Sequence, residues 1–170
     1  MLYWLLLIVG SVVLDQLTKW LAVGHLKGID TFPLWEDVLH LTYVENTGAA
    51  FGSFKDHRWV FMIISSIAIV ALVAYYFLGR PHDRLTTTAL AFITGGGIGN
   101  MIDRVMLGYV VDFIDFTLID FAVFNIADSF VCVGVGLMFL ALILSERKEA
   151  KAKKQAAEAP VAGEETVHDD

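Results

Sequence analysis

Four runs of mainly apolar residues divide the chain, at about residues 2–24, 59–78, 85–107 and 121–144. An α-helix rising about 1.5 Å per residue needs about 20 such residues to cross a hydrocarbon core of about 30 Å. The pattern therefore predicts an all-α integral membrane protein with four transmembrane helices. Between the first two runs lies a polar segment of residues 24–58. Within it, "HLTYVENTGAAFGSF" mixes β-formers with turn residues and predicts strands or a small sheet on the membrane surface. The first run has no basic segment ahead of it and contains Asp15 and Lys19, so it reads as a retained span rather than a signal peptide. The third is interrupted by Gly95, Gly96, Gly97 and Gly99, small residues that admit a close neighbour, and Gly96 and Gly97 are expected beside a peptide channel.

Charge placement sets an orientation. Arg80 and Arg84 lie between the second and third runs, and Arg147 and Lys148 follow the fourth, whereas the Gly108–Asp120 connection has three acids and no base. Basic residues favour the cytoplasmic side, so both termini are expected there. On that orientation the polar residues inside the runs share one depth. Asp15 and Lys19 lie about 20 and 26 Å along the first run, and Asn100, Asp103 and Arg104 about 22 to 29 Å along the third. Asn125 and Asp128 sit at the outer end of the fourth. An embedded charge costs about 2.5 kcal/mol or more, so their convergence near the outer leaflet boundary suggests a site.

Composition narrows the classes. At 56% hydrophobic, 18% charged and a mean hydropathy of +0.64, the chain is neither disordered nor a typical water-soluble globule. A net charge of −7 argues against nucleic-acid binding. The single cysteine, Cys132, rules out an internal disulfide or a Cys-cluster metal site and reads as a small packing residue; there is no HExxH and no His cluster. No metal or cofactor is expected. Residues 146–170 hold five basic and seven acidic side chains and read as a charged, flexible or partly helical cytoplasmic tail beyond a 1–145 membrane domain.

Asp112 and Asp128 are the candidate catalytic pair. Two carboxylates sharing a proton can hydrolyse an amide without metal or nucleophile: one takes a proton from water, and the other polarises the carbonyl. The plainer alternatives are a solvated loop acid for Asp112 and a helix N-terminal acid for Asp128. Asn100, Asp103 and Arg104 fall on one helical face, as do Asn125 and Asp128. Arg104 could orient a carbonyl or hold a carboxylate, or could simply pair with Asp103, which reads as structural. Asn46, Gly48 and Ala49 lie in a segment whose small residues could line a peptide channel, though Asn-Thr-Gly is also a plain turn signal. Asp15 and Lys19 at i and i+4, flanked by Gln16, read as a structural buried ion pair. Intramembrane charges also mark transporters and proton relays, and a scaffold whose polar residues merely join helices is a third reading.

The segments "DQLTK" (Asp15–Lys19), "ENTGAAF" (Glu45–Phe51), "GGGIGNMIDR" (Gly95–Arg104), "VVDFI" (Val110–Ile114) and "FNIADS" (Phe124–Ser129) together resemble the lipoprotein signal peptidase (signal peptidase II) family of bacterial membrane aspartic peptidases. The resemblance implies a catalytic dyad of Asp112 and Asp128, surrounded by Asn46, Asn100, Arg104 and Asn125, with Asp15 and Lys19 supporting the architecture. It implies four membrane helices with an extracytoplasmic β-cradle and a short interfacial helix, in the bacterial inner membrane. The implied substrate is a diacylglyceryl-modified prolipoprotein cleaved on the N-terminal side of its lipidated cysteine, and the implied inhibitor is the cyclic peptide globomycin. Membrane lipids are the other expected partners, and the chain is expected to act as a monomer.

Overall fold

A computed structural model describes residues 1–29, 31–48, 58–79, 81 and 83–158. Four long helices, α1 (Leu2–Leu26), α2 (Arg58–Gly79), α3 (Arg84–Met106) and α4 (Ile126–Glu158), accompany three strands, β1 (Thr31–Trp35), β2 (Leu39–Asn46) and β3 (Val110–Asp115). The short helix among the described residues is a single 3-10 turn, Thr117–Ile119. Ala49, Ala50 and Phe51 of the "ENTGAAF" segment, Arg80 and residues 159–170 lie outside the described residues.

Among the described residues, three helical stretches, Leu2–Leu26, Trp59–Gly79 and Ile126–Gln155, are long and apolar enough to cross a membrane. α3 has the length, 23 residues, but is less apolar. Its position accounts for that: it packs against α1, α2 and α4, so protein surrounds a helix whose glycines, threonines and polar residues would suit lipid poorly. None of the most apolar stretch of α2 is buried inside the protein, as expected for a face that meets acyl chains.

On α1, Trp4, Ile8, Ser11, Asp15, Lys19, Ala22 and Leu26 are buried. Their spacing of three and four makes one stripe, which places the two charged residues of the run against the protein interior. The glycines of α3 are helix-packing residues. A Cβ on Gly95 would come within 2.8 Å of Ser11 Cβ, and one on Gly97 would touch Ile69. One on Gly96 would strike the Ala127 carbonyl oxygen. This corrects the expectation that Gly96 and Gly97 border the peptide channel: close helix approach uses up their missing side chains.

The strands form one antiparallel sheet in the order β1-β2-β3. The β1–β2 turn uses Asp37 at φ 57°, a left-handed conformation that Asp tolerates. On β3, Val111 and Phe113 join Ala22 and Leu26 of α1 in a core cluster, and the period of two sends Asp112 to the opposite face. β3 is bridged on its free edge by Phe124, through Ile114 N to Phe124 O at 2.8 Å and Phe124 N to Ile114 O at 3.0 Å. That bridge explains why the last helix begins at Ile126 rather than near residue 121: the preceding residues are drawn alongside the sheet. The helix also runs on through the start of the charged tail, to Glu158.

Candidate active site

The Phe124 bridge brings the start of α4 beside β3, and with it Asp128 toward Asp112. Both line one cavity of about 430 Å³, together with Asn46, Gly48, Asn100 and Arg104. Its other wall is apolar: Val110, Phe121, Ala122, Val123, Phe124 and Val133.

Asp128 is fixed by a reciprocal cap. Its backbone N–H donates to Asn125 Oδ1 at 3.0 Å, and its Oδ2 accepts from the Asn125 backbone N–H at 3.3 Å, in the manner of a capping box. Asn125 is fully buried, and its Nδ2 donates to Asp112 Oδ1 at 2.6 Å. One asparagine therefore caps the helix that carries one acid and grips the other acid directly. Asp112 Oδ2 accepts from Asn46 Nδ2 at 2.9 Å, and Asp128 Oδ1 accepts from Asn100 Nδ2 at 2.7 Å. Each amide is oriented by a donor on its oxygen: Gly48 N–H on Asn46 at 3.0 Å, and Lys19 Nζ on Asn100 at 2.9 Å.

Beneath the pair lies a set of buried charges. Lys19 Nζ is 3.0 Å from Asp15 Oδ2 and 3.0 Å from Asp103 Oδ2. Gln16 Nε2 donates to both acids, at 3.2 and 2.9 Å, and to the Gly99 carbonyl at 3.2 Å. Asp15 and Lys19 form an ion pair at i and i+4, and Asp103 pairs with Lys19 rather than with its neighbour Arg104. Removing one member of such a buried set costs about 3–5 kcal/mol, because the others are left uncompensated. The Arg104 guanidinium donates to the Asn100 carbonyl at 3.2 Å, lies 5.8 Å from the Phe61 ring centroid, and feels the charges of Asp128, Asp112 and Asp103.

Asp112 is 2% exposed. Burial pushes its carboxyl up to about 6; the Asp128 charge reinforces the rise, and hydrogen bonds from Asn46 and Asn125 oppose it. A carboxyl that can hold a proton near neutrality, beside a second carboxyl and a cavity with one polar and one apolar wall, is equipped for proton transfer to and from an amide.

Of the residues singled out in the sequence, Asn46, Gly48, Asn100, Arg104, Asp112, Asn125 and Asp128 gather at this site. Asp15, Gln16, Lys19 and Asp103 lie one layer below. Ala49 lies outside the described residues. Asp115, one of the three acids of the Gly108–Asp120 connection, accepts from Thr42 Oγ1 at 2.8 Å on the sheet. The apolar wall from Phe121 to Phe124 was not legible, because those residues read as the start of a span. Cys132 also departs from expectation: it is exposed and lines the cavity one helical turn beyond Asp128. Among the described residues no group of His, Cys, Asp and Glu is arranged to hold a metal ion.

The profile described as signal peptidase (SPase) II matches residues 7–144. A Halalkalibacterium halodurans protein named lipoprotein signal peptidase is 47% identical over 156 residues, covering 90% of this chain and 99% of its own. A protein of the same name from Caldanaerobacter subterraneus subsp. tengcongensis is 49% identical over 130 residues, covering 76% of this chain and 88% of its own. Among solved structures, a bacterial membrane enzyme studied by the in meso method at 2.3 Å resolution superposes with a TM-score of 0.80 at 35% identity, covering 86% of this chain and 90% of that one. The profile match contains the whole sheet and both candidate acids, and the chain belongs to the signal peptidase II family.

Proposed function

We propose that this membrane peptidase cleaves diacylglyceryl-modified prolipoproteins on the N-terminal side of the lipidated cysteine, with Asp112 and Asp128 as its catalytic pair. The observation that carries the reading is the Asn125 link: two acids distant in sequence are held by one buried side chain at the wall of one cavity. All four long helices cross the bilayer on this reading, α3 shielded by the other three. Both termini face the cytoplasm, and the sheet lies at the outer leaflet boundary.

Asp112, whose carboxyl burial pushes up to about 6, donates a hydrogen bond to the scissile carbonyl oxygen. Asp128 takes a proton from water as the water oxygen attacks the carbonyl carbon. The Asp112 proton passes to the carbonyl oxygen as the tetrahedral intermediate forms; Asp128 then gives its proton to the nitrogen as the C–N bond breaks, one hydroxyl proton returns to Asp112, and amine and carboxyl products separate. Asn46, Asn100 and Asn125 hold the acids in place, and Arg104 compensates the negative charge that gathers around them. The apolar wall suits a substrate that cannot leave the lipid cheaply, since each buried CH₂ is worth about 0.8 kcal/mol. Globomycin, as a cyclic peptide, would compete for the same cavity.

The test is cleavage of one precursor, with and without its diacylglyceryl group, by the purified protein in lipid. The reading expects a free signal peptide and an N-terminal lipidated cysteine, only from the lipidated form and only without globomycin. Release from the unlipidated form alone, or proton or solute flux without cleavage, would support a different function. The pH dependence follows from Asp112. The working state carries one proton on the pair, and that proton is lost as pH rises through about 6. kcat/KM is therefore expected to fall on the alkaline side from there.

A further inference from the structure

Two backbone amides in the site have unusual partners. Val111 N–H, immediately before Asp112, donates to Asp103 Oδ2 at 3.0 Å. Ala127 N–H, immediately before Asp128, donates to Asp15 Oδ1 at 2.9 Å. Each buried acid thus holds the residue preceding one member of the catalytic pair. Both acids are joined on one cation, since Lys19 Nζ lies 3.0 Å from each of them. The third contact of the ammonium goes to Asn100 Oδ1, which leaves Asn100 Nδ2 to donate to Asp128. Lys19 is 3% exposed, and these three acceptors match the three N–H bonds of an ammonium.

We infer that Lys19 is a positioning residue for the reaction: acting through Asp15, Asp103 and Asn100, it sets the separation and aim of Asp112 and Asp128. The inference rests on the catalytic assignment proposed above and adds to it. An ion pair that only joined α1 to α3 would need one acid. Here a second acid, a backbone amide on each side and an oriented asparagine all lead to the two reacting carboxyls. Val111 is in β3 and Ala127 is in the first turn of α4, so the ammonium fixes strand against helix at the one place where their relative position matters for proton sharing.

Lys19→Arg keeps the charge but replaces a three-way point donor with a larger planar fork. A misplacement of about 1 Å costs on the order of a hundredfold in rate, so kcat per folded molecule is expected to fall at least about tenfold with KM held within about twofold. The alkaline limb of the pH profile should also move, because the Asp128 charge raises the Asp112 value and the Lys19 charge lowers it, and both act through the distances that Lys19 sets. Asp103→Asn is the second variant. It weakens the hold on Lys19 while keeping an oxygen for Val111 N–H, and it too should lower kcat rather than raise KM. Turnover is referred to the folded fraction, measured by thermal melting in lipid.

Asp112→Asn and Asp128→Asn are run alongside. If both aspartate variants are inactive while every folded variant at Lys19 and Asp103 keeps wild-type kcat and an unmoved pH limb, the inference is overturned and the catalytic assignment stands. If an aspartate variant turns over normally, it is the catalytic assignment that fails.

Discussion

Asp112→Asn is expected to leave a folded protein that cleaves lipidated precursor about 10²–10⁴-fold more slowly, the span that a positioned acid or base contributes. The side chain keeps its shape and volume. Each Asp112 oxygen accepts from a fixed amide nitrogen, Asn46 on one side and Asn125 on the other. An amide in place of the carboxyl turns one acceptor into a donor and sacrifices about one hydrogen bond, worth about 1 kcal/mol. That loss is small beside the removal of the titratable proton. Asp128→Asn should act alike, keeping an oxygen for Asn100 and weakening the 3.3 Å return bond of the cap. Mass spectrometry of the released peptide reads turnover, and thermal melting in lipid reads folding. Turnover within about tenfold of wild type in either variant would remove that residue from the proton-transfer steps.

Gly96→Ala carries the largest expected effect away from the acids. A Cβ there meets the Ala127 carbonyl oxygen and lies 2.8 Å from Val131 Cγ2, so α4 must move away from α3. Overpacking of this kind costs about 1–3 kcal/mol, and here the atom encountered is backbone, which yields less than a side-chain tip. Ala127 precedes Asp128, and its N–H is held by Asp15, so the shift should reach the site. A lower melting temperature and a fall in kcat are expected together. Gly10→Ala is the control: nothing lies within 4 Å of a Cβ at Gly10, and alanine is the better helix former by about 1 kcal/mol. It should melt at or above the wild-type temperature with unchanged turnover. Wild-type melting of Gly96→Ala would contradict the close α3–α4 contact.

Much of this site could be read along the chain because its parts obey short-range rules. The i and i+4 spacing put Asp15 and Lys19 together, and one helical face carried Asn100, Asp103 and Arg104. The i and i+3 spacing of Asn125 and Asp128 gave the face but not the cap. What stayed hidden was long-range pairing. No local pattern says that Phe124 bridges Ile114, yet that bridge sets where α4 begins and delivers Asp128 to β3. The Asp103–Lys19 pair was hidden for the same reason, since the adjacent Arg104 offered a nearer partner in sequence. Gly96 and Gly97 were expected beside the channel, while the run also admitted a neighbouring helix, because small size alone does not say which neighbour needs the room. Their contacts with Ser11, Ile69 and Ala127 do.

The account depends on Asp112 and Asp128 sharing one proton. Infrared difference titration of the protein in lipid measures this directly, by following the protonated-carboxyl band of the wild type against each aspartate-to-asparagine variant. A band that titrates near about 6, is absent from Asp112→Asn and moves to lower pH in Asp128→Asn is the predicted result. An Asp112 band that titrates in the ordinary aspartate range, about 3.9, and ignores the loss of the Asp128 charge would contradict it.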